Sequence, residues 1–143
     1  MNFTTLLEIL SQRLGAPIED AGGAAALEID GSTIILQDAG DLLLLRAEIG
    51  ELPEEGREAL LTVVLEANHL YRGTGGGTLA LEPGTSCLQL QKYTWLDRLD
   101  ADSALDTIIR FSSTADSWRS LLSDYPPPSS DEPLPPSFDF LRI

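Results

Sequence analysis

The sequence predicts an α+β fold, with three helices and an antiparallel sheet of about five strands in the order α-β-β-β-α-β-β-α. Three observations carry that reading. Apolar residues recur at intervals of three and four in three long stretches, they alternate at intervals of two in shorter runs between them, and turn residues separate the alternating runs. Successive strands joined by tight turns pair antiparallel, whereas a doubly wound sheet needs a crossover helix between strands.

The first helix occupies residues 3–14, where Phe3, Leu7, Leu10 and Leu14 form a stripe that Leu6 and Ile9 widen. Gly15 and Pro17 stop it, and either Asn2 or a Thr5/Glu8 capping box starts it. After Gly22-Gly23 the period falls to two: Ala25, Leu27 and Ile29 alternate with Glu28 and Asp30, Gly31 turns the chain, and Ile34 and Leu36 continue the pattern. A second turn at Asp38-Ala39-Gly40-Asp41 leads into a third strand, 42–49. Its first half, Leu42-Leu43-Leu44-Leu45, is apolar on both faces, so a cover beyond the chain's own helices is expected over Leu42 and Leu44.

The second helix is expected from about residue 53 to 71, with Pro53 at its first position and Glu54, Glu55 and Glu58 near the positive end of its dipole. Its apolar residues, among them Leu60, Leu61, Val64, Leu65 and Leu70, go nearly all the way round the axis. Such a helix needs cover on two sides. In a short chain one side is the sheet, and the other is most simply a second copy across a two-fold axis. Gly73 to Gly77 break the chain, strands follow at 78–82 and 87–95 around Pro83-Gly84, and a third helix runs from about 100 to 124 with Ile108, Phe111, Ala115 and Trp118 on one face. Residues 1–124 thus form one domain. Residues 125–143 hold six of the chain's nine prolines and are expected to be an extended, mobile tail.

Composition narrows the function. At 143 residues and 43% apolar content the chain can build one core. Its 23 acidic against 9 basic residues give a net charge of -14, which repels nucleic acid and anionic membranes and keeps the chain soluble. The first residues lack the basic and apolar segments of a secretion signal, and no stretch approaches the roughly 18 apolar residues of a membrane span, so a cytoplasmic location is expected. A lone Cys87 fits a reducing compartment, and the single His69 has no second His or Cys nearby in sequence to build a metal site. The glycine run follows a helix and opens a strand, the reverse of a phosphate-binding loop. Ser86, His69 and Asp97 can be named as a triad, but no nucleophile-elbow pattern supports it. The acidic pairs Glu54-Glu55 and Asp100-Asp102 sit at helix starts, where capping explains them. No catalytic, cofactor or metal residues are expected.

With this element order, residues 3–123 resemble the effector chaperones of type III secretion, the family that includes the Tir chaperone and the YopE chaperone. The resemblance rests most on residues 42–82: the apolar strand, Gly50-Glu51-Leu52-Pro53, a long helix with Leu65-Glu66-Ala67-Asn68, the glycine-rich turn and Leu79-Ala80-Leu81-Glu82. Leu88-Gln89-Leu90 and a last helix with Trp118 and Leu121-Leu122 add a second block. It implies a homodimer with a twisted sheet, the second helix near the dimer seam, and exposed apolar patches that bind an extended segment of a secreted effector. Client contacts are then expected at Leu6, Ile9, Leu42 and Leu44, and dimer contacts at Leu60, Leu61, Val64 and Leu65. The expected function is a non-enzymatic cytoplasmic chaperone in a bacterium, binding the amino-terminal region of an effector and keeping it soluble and secretion-competent. A second reading gives the same fold the task of sequestering a transcription or secretion regulator.

Overall fold

In a computed structural model describing residues 1–125, helices and strands follow in the expected order: α1 (Phe3–Leu14), β1 (Ala24–Ile29), β2 (Ser32–Ala39), β3 (Leu42–Glu51), α2 (Arg57–Asn68), β4 (Thr78–Leu81), β5 (Cys87–Trp95) and α3 (Ala101–Ser123). The expectations for the proline-rich stretch fall, from residue 126 on, outside the described residues. The strands form one antiparallel sheet in the order β1-β2-β3-β5-β4, which leaves β1 and β4 as its edges. Ala26 pairs with Ile35 and Ile35 with Arg46, while Ala24 pairs with Gln37 and Gln37 with Leu44. Both first hairpins close through two residues. Asp30 and Gly31, at φ 50° and 80°, give the turn whose twist matches a right-handed hairpin, and Gly40 at φ 77° serves the next one.

The chain packs as two compact units. The first comprises Met1–Ala47 and Gln91–Ser112. Asn2 caps α1, its Oδ1 accepting from the Thr5 N–H at 2.8 Å, and Gly15 ends the helix in the left-handed region at φ 69°. Leu6 and Leu10 of α1, Leu27, Ile34, Leu36, Leu43 and Leu45 of the strands, and Ile108 of α3 are all buried. Each such side chain contributes roughly 1.5–3 kcal/mol of apolar burial. A reciprocal capping pair starts α3: Ser103 N–H donates to Asp100 Oδ1 at 2.8 Å, and Asp100 N–H donates to Ser103 Oγ at 2.9 Å.

The second unit comprises Glu48–Leu90 and the chain from Ser113 on. Here α2 is shorter than its pattern predicts. Gly56 sits at φ 74°, so residues 53–56 turn instead of beginning the helix, and of the three glutamates only Glu58 lies in its first turn. Arg57 fixes this turn by donating to the carbonyls of Pro53 and Leu52 and to Ser86 Oγ, each at 3.1 Å. At the other end Leu70 and Tyr71 take left-handed backbones at φ 56° and 58°, and Gly73 N–H closes the helix onto Ala67 O at 3.0 Å. Asn68 then joins helix to sheet edge: its amide accepts from Leu79 N–H at 2.9 Å and donates to Leu79 O at 3.0 Å. The glycine run is a packed helix-to-strand turn, since Trp118 Nε1–H donates to Gly73 O at 2.8 Å and a Cβ on Gly75 would meet Thr114 Oγ1 at 3.0 Å.

Candidate protein-binding surfaces

The face of the first unit's sheet opposite its core is the larger candidate. Strand period sorts the side chains: Leu43 and Leu45 turn inward at 1% and 0% exposure, so Leu42, Leu44 and Arg46 turn outward and are half-buried. The pairing register places Ala24, Ala26, Ile35 and Gln37 on the same side. Leu96 N–H donates to Asp41 O at 2.9 Å, bringing the end of β5 to the start of β3, and there Tyr93 and Trp95 are 58% and 47% exposed. The face is therefore largely apolar and aromatic, with Arg46 and Gln37 among its polar members. Arg46 Nε is shielded from solvent and has no hydrogen-bond partner among the described residues. Beside it Pro17, Glu19, Ala21, Ala24, Ala26 and Ile35 line an open groove of about 530 Å³.

Of the client residues expected on α1, Ile9 is half-buried, but Leu6 is 0% exposed. That corrects its assignment, because the α1 stripe points Leu6 into the unit's own core. The outer flank of α1 instead forms a groove of about 410 Å³ with the segment after it, between Leu7, Glu8, Ser11, Pro17 and Ile18. Ile18 N–H donates to Ser11 Oγ at 3.1 Å and holds that segment against the helix. Leu42 and Leu44 lie together on the outer sheet face as expected residues of one strand. Tyr93 and Trp95 were absent from the expected contacts, although the alternation through β5 carries the signal once Leu88 and Leu90 are known to be buried.

In the second unit the surface in question is the flank of α2. Leu60 and Val64 are 1% and 4% exposed and belong to the unit's core, a second correction, whereas Leu61 is half-buried and Leu65 is 70% exposed. Thr62, Leu65, Glu66 and His69 frame a shallow groove of about 420 Å³. Leu70 and Tyr71, in the turn after α2, are also largely exposed, as is Leu81 on β4. Two adjacent apolar residues held in left-handed backbone and turned to solvent are costly features, of the kind found where a second surface docks.

Burial, with the Glu48 carboxylate beside it, pushes the Cys87 thiol above its ordinary range, which disfavours the reactive thiolate. Ser86 accepts from Arg57. His69 is exposed at the end of α2. Among the described residues no three His, Cys, Asp or Glu side chains converge as a metal site, and no helix is long and apolar enough to cross a membrane.

Known structures share this architecture. A chain of the ExsC–ExsE complex superposes with a TM-score of 0.67 at 22% identity, covering 91% of this chain and 100% of that one. A chain of the HopA1–SchA chaperone–effector complex gives 0.65 at 20%, covering 82% and 93%. A chain of the heterodimeric ExoU–SpcU complex from the type III secretion system of Pseudomonas aeruginosa gives 0.65 at 17%, covering 81% and 96%. No curated protein sequence matches the chain. The family model of the Tir chaperone protein (CesT) family matches residues 5–119, nearly the whole of the described chain, and the protein belongs to that family.

Proposed function

We propose that this chain is a type III secretion chaperone that binds an extended amino-terminal segment of an effector in the bacterial cytoplasm, keeps it soluble and secretion-competent, and performs no catalysis. The observation that carries this reading is the outer sheet face, where half-buried Leu42 and Leu44 lie with exposed Tyr93 and Trp95. Aromatic side chains bury about 150–250 Å² each when covered, so a client lying here gains much apolar burial without any change in the chaperone. As an edge strand among the described residues, β1 offers backbone groups to the same segment. Membership of the family supports the assignment, and the resemblance to chains from chaperone–effector complexes agrees with it. The chain acts as a homodimer in this reading, with Leu61, Leu65, Leu70 and Tyr71 at the seam.

Copurification of the tagged chain from its native host, with mapping of the bound region, tests the proposal. A secreted protein held through its amino-terminal region, and no longer secreted when the chaperone gene is deleted, supports it. Intact secretion with altered transcription moves the assignment to a sequestered regulator. A monomer without a protein partner overturns it.

A further inference from the structure

We propose that the outer sheet face selects segments in which an acidic side chain sits among apolar ones, and that Arg46 is the residue that selects. The inference rests on the segment-binding reading above and specifies the chemistry of the segment.

Arg46 lies in the middle of the face. Its partner across β2 is Ile35, whose own partner on β1 is Ala26, and Leu44 precedes it by two positions on the same side of β3. Its company on the outward side is mainly apolar and aromatic, with Ala26, Ile35 and Leu44 nearest in the register, while the polar Gln37 and the exposed Glu28 and Glu48 of the same side form no hydrogen bond or ion pair with it among the described residues. A guanidinium stays charged at any physiological pH and brings five donors in a fixed fork. Yet Arg46 forms no ion pair or hydrogen bond among the described residues, in a chain with 23 acidic side chains to offer, and its Nε is shielded from water. A desolvated, unpartnered donor is costly, and a partner that supplies an acceptor recovers that cost on binding.

The best acceptor for such a fork is a carboxylate, which takes two parallel hydrogen bonds. A segment lying over the face of a sheet, as opposed to its edge, meets it with side chains and not with backbone carbonyls. An extended segment running along β3 shares its period of two. The acid is therefore expected two positions from an apolar residue seated on Leu44. This preference runs against the chain's overall field, since a net charge of -14 favours basic partners at long range. Local recognition at Arg46 and long-range attraction predict opposite signs, which makes the question decidable.

The test is selection of random peptides displayed on phage against the full-length chain and against its Arg46→Leu variant. The expected result is enrichment of Asp or Glu at one register position, flanked by apolar residues, in the wild-type pool and its disappearance in the variant pool. In fluorescence anisotropy, a selected peptide is expected to lose roughly tenfold in affinity for the wild type when its acid becomes the amide, with no loss for Arg46→Leu. Apolar enrichment without acid bias in the wild-type pool overturns the role of Arg46 and leaves segment binding standing. Failure to enrich any apolar segment overturns both readings. Circular dichroism checks that Arg46→Leu folds. Should it not, Arg46→Gln and the acid-to-amide comparison on the wild type decide the matter alone.

Discussion

On the sheet face of the first unit and on α2 of the second, apolar exposure changes abruptly between neighbours, but for different reasons. Along β3 the buried Leu43 and Leu45 alternate with half-open Leu42 and Leu44, because a strand has two sides and every residue belongs to one of them. Along α2 exposure jumps from 4% at Val64 to 70% at Leu65, although both lie on an apolar arc that continues around the axis. A strand's second face is known as soon as the first is found. A helix apolar all round can be rotated, and only its packing partners choose the angle. The lesson is that a two-faced run in a strand locates a surface to the residue, while the same feature in a helix says only that a surface exists.

Adjacent substitutions break or sharpen this comparison. The largest effect is expected for Val64→Asp and Leu43→Asp, which force a carboxylate into a closed core and should remove about 4 kcal/mol or more, enough to unfold a typical domain in a urea titration. Leu44→Asp, one residue along from Leu43, should leave the urea midpoint nearly unchanged, and Leu65→Asp, one along from Val64, should lower it only by the contribution of subunit association. In light scattering Leu65→Asp is expected to convert a dimer of about 31 kDa into a 15.5 kDa chain, and Leu44→Asp to stay dimeric while losing effector in a pull-down. If Val64→Asp remained a folded dimer, the assigned rotation of α2 would be wrong.

A smaller effect is expected at the joint between α2 and the sheet edge. Asn68→Ala removes both hydrogen bonds to Leu79 and should cost about 1–3 kcal/mol, read as faster amide exchange in β4 with α1 unaffected. The smallest concerns Asp100, which is exposed. Hydrogen bonds from the Ser103 backbone and side chain hold its carboxyl below the ordinary range. A depressed carboxyl contributes stability that is present above its unfolded pKa and lost as pH falls through its folded one. Asp100→Asn keeps an acceptor for the cap but loses this charge-dependent contribution, so its melting temperature is expected to lie slightly below wild type at neutral pH and to converge with it as pH falls through the folded pKa.

Several features were legible from residues alone because their causes are local. Periods of two and near 3.6 located all the elements, and Gly15, Gly31 and Gly40 marked turns whose left-handed backbone side chains resist. The ends of α2 were not legible. Gly56 outweighed Pro53 as the start, and at the other end the Asn68 clamp and the closure of Gly73 onto Ala67 replaced three further residues of helix. The clamp depends on Leu79, and the turn at the start is held by Arg57 donating to Ser86, both distant in sequence. Tyr93 and Trp95 escaped for a related reason, since alternation assigns them to one side of β5 but does not say which side is covered.

The sequence by itself determined the element order, the antiparallel pairing of the first three strands, the burial of Trp118 and the membership of a chaperone family, because each follows from local spacing, turn chemistry or a motif spread along the chain. Only the tertiary structure decided that Leu6, Leu60 and Val64 face inward, that Leu65, Tyr93 and Trp95 face out, and that the shielded Nε of Arg46 has no hydrogen-bond partner among the described residues. Burial is settled by what packs against an element from elsewhere in the chain, and no local pattern contains that information.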